Sequence, residues 1–304
     1  MSLTPVTSPS AKITPHTLLE RKQAHQPITA LTAYDYATAR LADEAGIDLL
    51  LVGDSLAMVV MGLDSTLPVT VDEMLHHTRA VRRGVRRAML VTDMPYGSYH
   101  LSADEGVANA VRFVKEGGAE AVKVEGARPE LVEHLVAAEI PVVGHIGLTP
   151  QSVHRMGGYK VQGKTAAEYA RLRQGARQLE NAGACAVVLE GMPRELAAEI
   201  TAELTIPTIG IGAGVDCDGQ ILVFHDLVNL TFAPPARFVR RYADAAELYR
   251  NAITAYRDDV VERRYPAENE SYHLPKNAKG TTMGTGATEA GAVAFDASQR
   301  RRKA

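Results

Sequence analysis

Short hydrophobic runs recur along the chain at a regular spacing and are separated by polar segments. They cover residues 28–34, 49–55, 88–95, 121–126, 141–147, 186–191, 208–214 and 221–227. Each run is rich in β-forming residues and nearly continuous in hydrophobicity, which is typical of strands buried on both faces of a parallel sheet. The pattern therefore predicts eight parallel strands.

Most of the polar gaps have the periodicity of a helix. The segments at 37–46, 102–118 and 168–183 each end in glycine, a common helix stop. Ser102 and Glu105 have the spacing of an N-terminal capping box. Strands that alternate with helices predict an α/β fold, and eight such units close most economically into a (β/α)8 TIM barrel.

One interval does not fit a regular barrel. Only six residues separate the seventh run from the eighth, too few for a helical crossover. Two interpretations stay open: the helix is missing at this point, or residues 221–227 are not the eighth strand. A doubly wound open sheet is the structural alternative.

The two ends of the chain differ in composition from the segment between them. Residues 1–12 are rich in Ser, Thr and Pro, and residues 276–304 are rich in Gly and other small residues. Neither end can bury much apolar surface. We therefore expect disordered tails on both sides of a single catalytic domain over residues 13–275.

Composition and charge indicate a protein that acts on small molecules. The net charge of −3 over 304 residues favours neither nucleic acid nor an anionic membrane as a partner. The sequence shows no apolar signal core and no run of about 18 apolar residues. The two cysteines, Cys185 and Cys217, have no metal-finger spacing, which favours a reducing compartment. We expect a cytoplasmic location.

Four of the hydrophobic runs end in a carboxylate: Asp54, Asp93, Glu125 and Glu190. The C-terminal ends of barrel strands form one face, where four acids would repel one another unless a cation joined them. Magnesium fits such a site, because it binds one or two carboxylates together with water and substrate oxygens. The alternative for any one of these acids is a helix cap or an ion pair with Lys or Arg.

Two basic residues accompany the acids. Lys123 lies two residues before Glu125 and so on the same face of its strand, where it could reach an anionic substrate or pair with an acid. His145 ends the fifth run and could hold a substrate oxygen or orient a metal ligand, although a structural role is more common. The glycine-rich segment 210–214 lacks the spacing of a dinucleotide-binding loop.

Several long segments resemble the ketopantoate hydroxymethyltransferase family. The most specific are GDS at 53–55 followed by GLDSTLPVT at 62–70, and GLTPQSV at 147–153 followed by GGYKVQG at 157–163. The resemblance extends over roughly residues 13–273 without large gaps. It implies a barrel of the phosphoenolpyruvate/pyruvate superfamily type.

The resemblance also implies an activity. The expected reaction transfers a hydroxymethyl group from 5,10-methylenetetrahydrofolate to 3-methyl-2-oxobutanoate (2-oxoisovalerate), giving ketopantoate and tetrahydrofolate in pantothenate and coenzyme A biosynthesis. Mg²⁺ is the implied cofactor, and a homo-oligomer, often a decamer, is the implied assembly. The implied Mg²⁺ ligands are Asp54, Asp93 and Glu125, the implied oxo-acid contacts are Asp54, Ser55, Asp93 and Lys123, and the implied base is Glu190.

Two other functions compete with this interpretation. A Mg²⁺-dependent lyase or mutase of the same superfamily would act on oxo acids or phosphonates without folate. Such enzymes usually carry a catalytic cysteine in a lid loop, and neither Cys185 nor Cys217 lies in a plausible lid. A catalytically silent barrel that serves as a scaffold is the second alternative, and it would have no need of acids at four strand ends.

Overall fold

Eight parallel strands form a closed barrel in residues 11–274, the part of the chain that the computed structural model describes. The strands are β1 (Ile28–Thr32), β2 (Leu49–Val52), β3 (Met89–Asp93), β4 (Ala121–Glu125), β5 (Val142–Gly147), β6 (Ala186–Glu190), β7 (Thr208–Ile211) and β8 (Gly219–Leu222). Their order around the barrel is their order in the chain. The predicted (β/α)8 fold is thus confirmed, and the open sheet is wrong.

Helices occupy most of the connections between the strands. They are α1 (Pro15–Gln23), α2 (Tyr36–Glu44), α3 (Leu56–Val59), α4 (Val71–Gly84), α5 (Ala103–Arg112), α6 (Pro129–Ala137), α7 (Val153–Met156), α8 (Ala166–Asn181), α9 (Arg194–Glu203), α10 (Phe224–Leu227) and α11 (Ala245–Val261). The three helices predicted from periodicity correspond to α2, α5 and α8. A π-helical turn over Phe113–Gly117 extends α5 to the predicted glycine stop.

The connection between β7 and β8 contains no helix in residues 212–218, all of which are described. β8 nevertheless pairs with both of its neighbours, through Ile209↔Gly219 and Leu31↔Leu222. It begins two residues before the predicted run at 221–227, and the second half of that run is the helix α10. The run leaves the sheet because the backbone N–H of Phe224 donates to the Thr32 hydroxyl at 2.9 Å.

Alternate side chains of each strand enter two different hydrophobic clusters. On β2, Leu49 and Leu51 belong to a cluster that draws residues from every strand and lies inside the barrel. Leu50 and Val52 belong to the larger cluster that lies between the strands and the surrounding helices. The period of two therefore assigns each strand residue to the barrel interior or to the helix layer.

An ion-pair network around Asp48 joins elements at the N-terminal end of the barrel. The Asp48 carboxylate accepts hydrogen bonds from the Thr29 N–H at 3.0 Å, from Arg21 at 2.9 Å and from Arg87 at 2.6 Å. Burial would raise the pKa of Asp48, but the bonds from Thr29 and the two arginines outweigh burial and lower it. The network connects α1, β1 and the starts of β2 and β3.

The chain divides into two compact units, one ending at Tyr249 and one beginning at Arg250. The first contains the barrel, and the described part of the second contains most of α11 and a short 3-10 turn at Glu268–Glu270. The single catalytic domain expected over 13–275 stays a prediction. No described side chain of α11 is buried.

The tails expected at 1–12 and 276–304 lie outside the described residues, apart from Ala11 and Lys12. The Lys12 ammonium lies 2.7 Å from the Glu120 carboxylate. Within residues 11–274, no helix combines the length and the hydropathy needed to cross a membrane.

Replacing Asp48 with Asn should lower the free energy of unfolding by about 3–5 kcal/mol at pH 7, because two arginines lose a buried partner. The pKa of Asp48 is lowered by folding, so its contribution is present above the ordinary value of 3.8 and is lost as the pH falls. Urea unfolding of both proteins at pH 7 and pH 3 measures the difference. Asp72→Asn, in an exposed pair with Arg112, is the control and should cost less than about 1 kcal/mol.

Candidate active site

Three of the four strand-end acids lie on the interior face of the barrel. Asp93, Glu125 and Glu190 are the last residues of β3, β4 and β6. Val91 and Val188, two residues before Asp93 and Glu190, belong to the interior cluster. Side chains two apart share a face, so these carboxylates point into the barrel at its C-terminal end.

Asp54 reaches the same place from the turn after β2. Its backbone N–H donates to Asp93 Oδ2 at 3.1 Å. Gly53 permits this approach: a Cβ there would lie 2.8 Å from the Ser55 hydroxyl and 3.6 Å from Asp93 Oδ2. The glycine thus leaves open a small space between Ser55 and the two aspartates.

Lys123 supplies a positive charge directly beneath the acids. Its side chain is buried, with Nζ 3.0 Å from Asp93 Oδ1 and 3.2 Å from His145 Nδ1. Burial by itself would lower the pKa of Lys123, but Asp93, Glu125 and Asp54 outweigh it and raise the pKa. The side chain is therefore an ammonium ion throughout the neutral range.

His145 connects the acid of β6 to those on the other side of the site. Its Nε2 lies 3.2 Å from Glu190 Oε2, and its Nδ1 lies 3.6 Å from Glu125 Oε1. Burial and Lys123 lower the pKa of His145, but contacts with Glu125 and Glu190 outweigh them and raise it to about 9. When Nδ1 accepts a hydrogen bond from Lys123, or when the ring is doubly protonated, Nε2 carries a hydrogen beside the Glu190 carboxylate.

Ser55 follows Asp54 in the same turn. Its hydroxyl lies 2.8 Å from the phenol of Tyr34, which follows β1. Burial raises the pKa of Tyr34, so the phenol stays protonated and can donate to Ser55 or to a ligand. The structure therefore brings together the whole predicted set: Asp54, Ser55, Asp93, Lys123, Glu125, His145 and Glu190.

Two further residues hold the acids and belong to no motif that the sequence identifies as catalytic. Gln151 lies in the turn after β5; its side-chain N–H groups donate to Asp54 Oδ2 at 2.8 Å and to the Met94 carbonyl at 3.0 Å. Its backbone N–H donates to Glu125 Oε2 at 2.9 Å. Tyr99 donates its phenolic hydrogen to Gln151 Oε1 at 2.5 Å. The sequence signals for Gln151 are its position just after a strand end and its place in the GLTPQSV segment at 147–153.

The charges at this site leave an excess of negative charge. Four carboxylates face one ammonium ion and one imidazole ring. Burial, and then the neighbouring Asp93 and Glu125, raise the pKa of Asp54 well above its ordinary value. A divalent cation would relieve this repulsion. The oxygen-rich side chains therefore fit a hard cation such as Mg²⁺.

The acids do not form a finished cage for such an ion. Within residues 11–274, no three His, Cys, Asp or Glu side chains are arranged so that they could hold a metal by themselves. Mg²⁺ usually retains water and takes substrate oxygens as ligands, so one or two of these carboxylates are sufficient. The ligand set Asp54, Asp93 and Glu125 stays a prediction.

Comparison with known families gives a decisive match. The family model for ketopantoate hydroxymethyltransferase matches residues 12–268. The chain belongs to the ketopantoate hydroxymethyltransferase family. The resemblance drawn from the GDS and GLTPQSV motifs is thereby confirmed.

Individual members of the ketopantoate hydroxymethyltransferase family are similar over nearly their whole length. The chain is 67% identical over 273 residues to the 3-methyl-2-oxobutanoate hydroxymethyltransferase of Koribacter versatilis, covering 89% of this chain and 92% of that one. It is 51% identical over 267 residues to the enzyme of the same name from Thermoanaerobacter sp. strain X514, covering 87% and 97%.

Solved structures share the barrel at much lower identity. A phosphonopyruvate hydrolase in complex with oxalate and Mg²⁺ superposes with a TM-score of 0.53 at 14% identity, covering 85% of this chain and 93% of that one. A 2,3-dimethylmalate lyase, described as a PEP mutase/isocitrate lyase superfamily member, gives 0.53 at 16%, covering 88% and 92%. These similarities establish the fold alone.

Asp54→Asn should raise the melting temperature of the metal-free protein, because it removes a buried charge from a cluster of like charges. The same change should abolish the stabilisation that Mg²⁺ gives to the wild type, which is about 2.7 kcal/mol at 100 times the Kd. Thermal melts with EDTA and with Mg²⁺ measure both effects. The exposed Asp104→Asn is the control. An equal Mg²⁺-dependent shift in the Asp54 variant would contradict the metal assignment.

Proposed function

We propose that this protein transfers a hydroxymethyl group from 5,10-methylenetetrahydrofolate to 3-methyl-2-oxobutanoate, giving ketopantoate and tetrahydrofolate for pantothenate and coenzyme A synthesis. The family match and the relatives' names support this reaction. The observation that carries the proposal is the division of the four acids. Three gather around Lys123, whereas Glu190, two strands beyond the last of them in the barrel, lies beside His145.

The three gathered acids are the proposed binding site for Mg²⁺. Asp54 and Asp93 are joined by the bond from the Asp54 N–H, and Glu125 lies within electrostatic range of both. When bound, the ion supplies Lewis-acid chemistry that draws electron density from the keto group of the oxo acid. Ser55 and Lys123 complete the proposed contacts to the oxo acid.

The proposed role of Glu190 is proton transfer. Its carboxylate takes the hydrogen of C3, and the electron pair left on C3 forms the new bond to the methylene carbon from folate. The bonds from that carbon to the folate nitrogens break, and one water supplies the oxygen of the product hydroxyl. The Lys123 ammonium stabilises the negative charge that develops on the keto oxygen. His145 keeps the Glu190 carboxylate in place.

The lyase or mutase alternative is less well supported. Both cysteines lie at the opposite end of the barrel: Cys185 immediately precedes β6, and Cys217 lies two residues before β8. Neither can serve as a lid cysteine at the mouth. A silent scaffold is also disfavoured, because burying three neighbouring acids costs stability and a scaffold gains nothing from it.

We also propose that the enzyme is a cytoplasmic homo-oligomer, with the decamer as the expected form. The support for assembly is that α11 exposes Leu248, Ile253 and Tyr256, each more than half exposed. The support for the reducing compartment is that neither Cys185 nor Cys217 forms a disulfide. Light scattering coupled to size exclusion measures the mass directly.

EDTA should abolish hydroxymethyl transfer, and added Mg²⁺ should restore it, because the ion both holds and activates the oxo acid. A coupled assay with 2-oxoisovalerate and methylenetetrahydrofolate provides the measurement. Full turnover after metal has been removed to below the enzyme concentration would show that the proposed chemistry is wrong.

Glu190→Gln should reduce turnover by about 10²–10⁴-fold, the usual effect of losing a general base, and should leave Mg²⁺ affinity nearly unchanged. The direct measurement is exchange of the C3 proton of 2-oxoisovalerate in deuterated water, followed by NMR without folate. Wild type and the exposed control Glu195→Gln should exchange, and Glu190→Gln should hardly do so. Exchange at the wild-type rate would exclude Glu190 as the base.

A further inference from the structure

We infer that Gln151 is a positioning residue that holds two of the proposed Mg²⁺ ligands, Asp54 and Glu125, in the arrangement that binds the ion. It reaches Asp54 through its side chain and Glu125 through its backbone. The inference rests on the metal site given above, and it assigns the turn after β5 a specific task in that site.

The orientation of the Gln151 amide is determined by its neighbours. The Met94 carbonyl can only accept a hydrogen bond, so the atom 3.0 Å from it must be the NH₂ group. The same group therefore donates to Asp54 Oδ2, and the amide oxygen accepts from Tyr99. Both side-chain hydrogens are used, and a rotated amide would lose all three bonds.

Tyr99 prevents that rotation. Its hydroxyl accepts a hydrogen bond from the backbone N–H of Glu125 at 3.2 Å and so must direct its own hydrogen at Gln151. Its ring is buried, and the Arg128 guanidinium lies 5.3 Å from the ring centre. The phenol is thus anchored to β4 while it orients the amide.

The hydrogen bonds of Gln151 connect residues at the C-terminal ends of two strands that are not neighbours in the barrel. Asp54 follows β2 and Glu125 ends β4, with β3 between them. Gln151 engages Asp54 Oδ2 and Glu125 Oε2 and leaves Asp54 Oδ1 and Glu125 Oε1 to a cation, with His145 Nδ1 3.6 Å from the latter. Without the Gln151 side chain, the buried Asp54 carboxylate would lose a donor and would turn away from Glu125, because like charges repel.

Replacing Gln151 with Met keeps the length of the side chain and removes the two side-chain donors to Asp54 and to the Met94 carbonyl, while the backbone donor to Glu125 remains. We expect the Kd for Mn²⁺, titrated calorimetrically into the full-length protein without substrate, to rise by about 10–100-fold, the usual cost of losing a group that orients metal ligands. Gln162→Met is the matched control, since the Gln162 side chain donates to the Lys160 carbonyl of its own loop. Equal Mn²⁺ affinity in the two variants would overturn the inference.

The dependence of turnover on Mg²⁺ concentration distinguishes a positioning role of Gln151 from a purely structural one. If Gln151 positions the ligands, the Mg²⁺ concentration for half-maximal turnover should rise by a similar factor, and kcat should largely recover at saturating Mg²⁺. A lower kcat at every Mg²⁺ concentration, with an unchanged half-saturation point, would mean that Gln151 supports only the fold.

Tyr99→Phe tests the same point with little risk to folding. It removes only the hydroxyl and should weaken Mn²⁺ binding less than Gln151→Met does, whereas the half-exposed Tyr96→Phe should not change it. Wild-type affinity in Tyr99→Phe together with Gln151→Met would overturn the inference. A wild type that binds no Mn²⁺ would overturn it together with the metal site. A wild type that binds Mn²⁺ but transfers no hydroxymethyl group would overturn the proposed reaction alone.

Discussion

The crowding of negative charge at the mouth of a closed barrel is the constraint on which the rest of this structure depends. Asp54, Asp93 and Glu125 are almost completely buried, with one ammonium ion, Lys123, among them. Buried like charges destabilise a fold unless donors or a cation offset them. The surrounding polar residues supply those donors, and the oxygen-rich side chains fit a hard cation.

Buried acids have opposite charge environments at the two ends of the barrel. At the N-terminal end, the single carboxylate of Asp48 is surrounded by Arg21, Arg87 and Thr29, and the result is a lowered pKa and a satisfied network. At the C-terminal end, acids outnumber bases, and the pKa of Asp54 is raised. Stability is thus concentrated at one end and reactivity at the other, as is usual in this fold.

The proposed role of each acid at the mouth of the barrel corresponds to the strand that carries it. β2, β3 and β4 are adjacent, so their acids gather on one side around Lys123. β6 places Glu190 further round, where His145 of the intervening β5 contacts both groups. The proposed metal-binding side and the proposed proton-accepting side therefore follow strand order, and His145 lies between them.

The hydrophobic pattern alone was sufficient for the strands, the main helices and the interior position of Asp93, Glu125 and Glu190, because alternation along a strand is a local property. It was insufficient at the eighth strand, where the predicted run leaves the sheet and the backbone N–H of Phe224 donates to the Thr32 hydroxyl of β1. It also did not reveal Gln151, Tyr99 or the central place of His145. The partners of these residues are distant in the sequence. Gln151 and Asp54, for example, are 97 positions apart. The sequence by itself thus determined the fold, the family and the acids, whereas only the closed barrel decided which groups meet at the mouth.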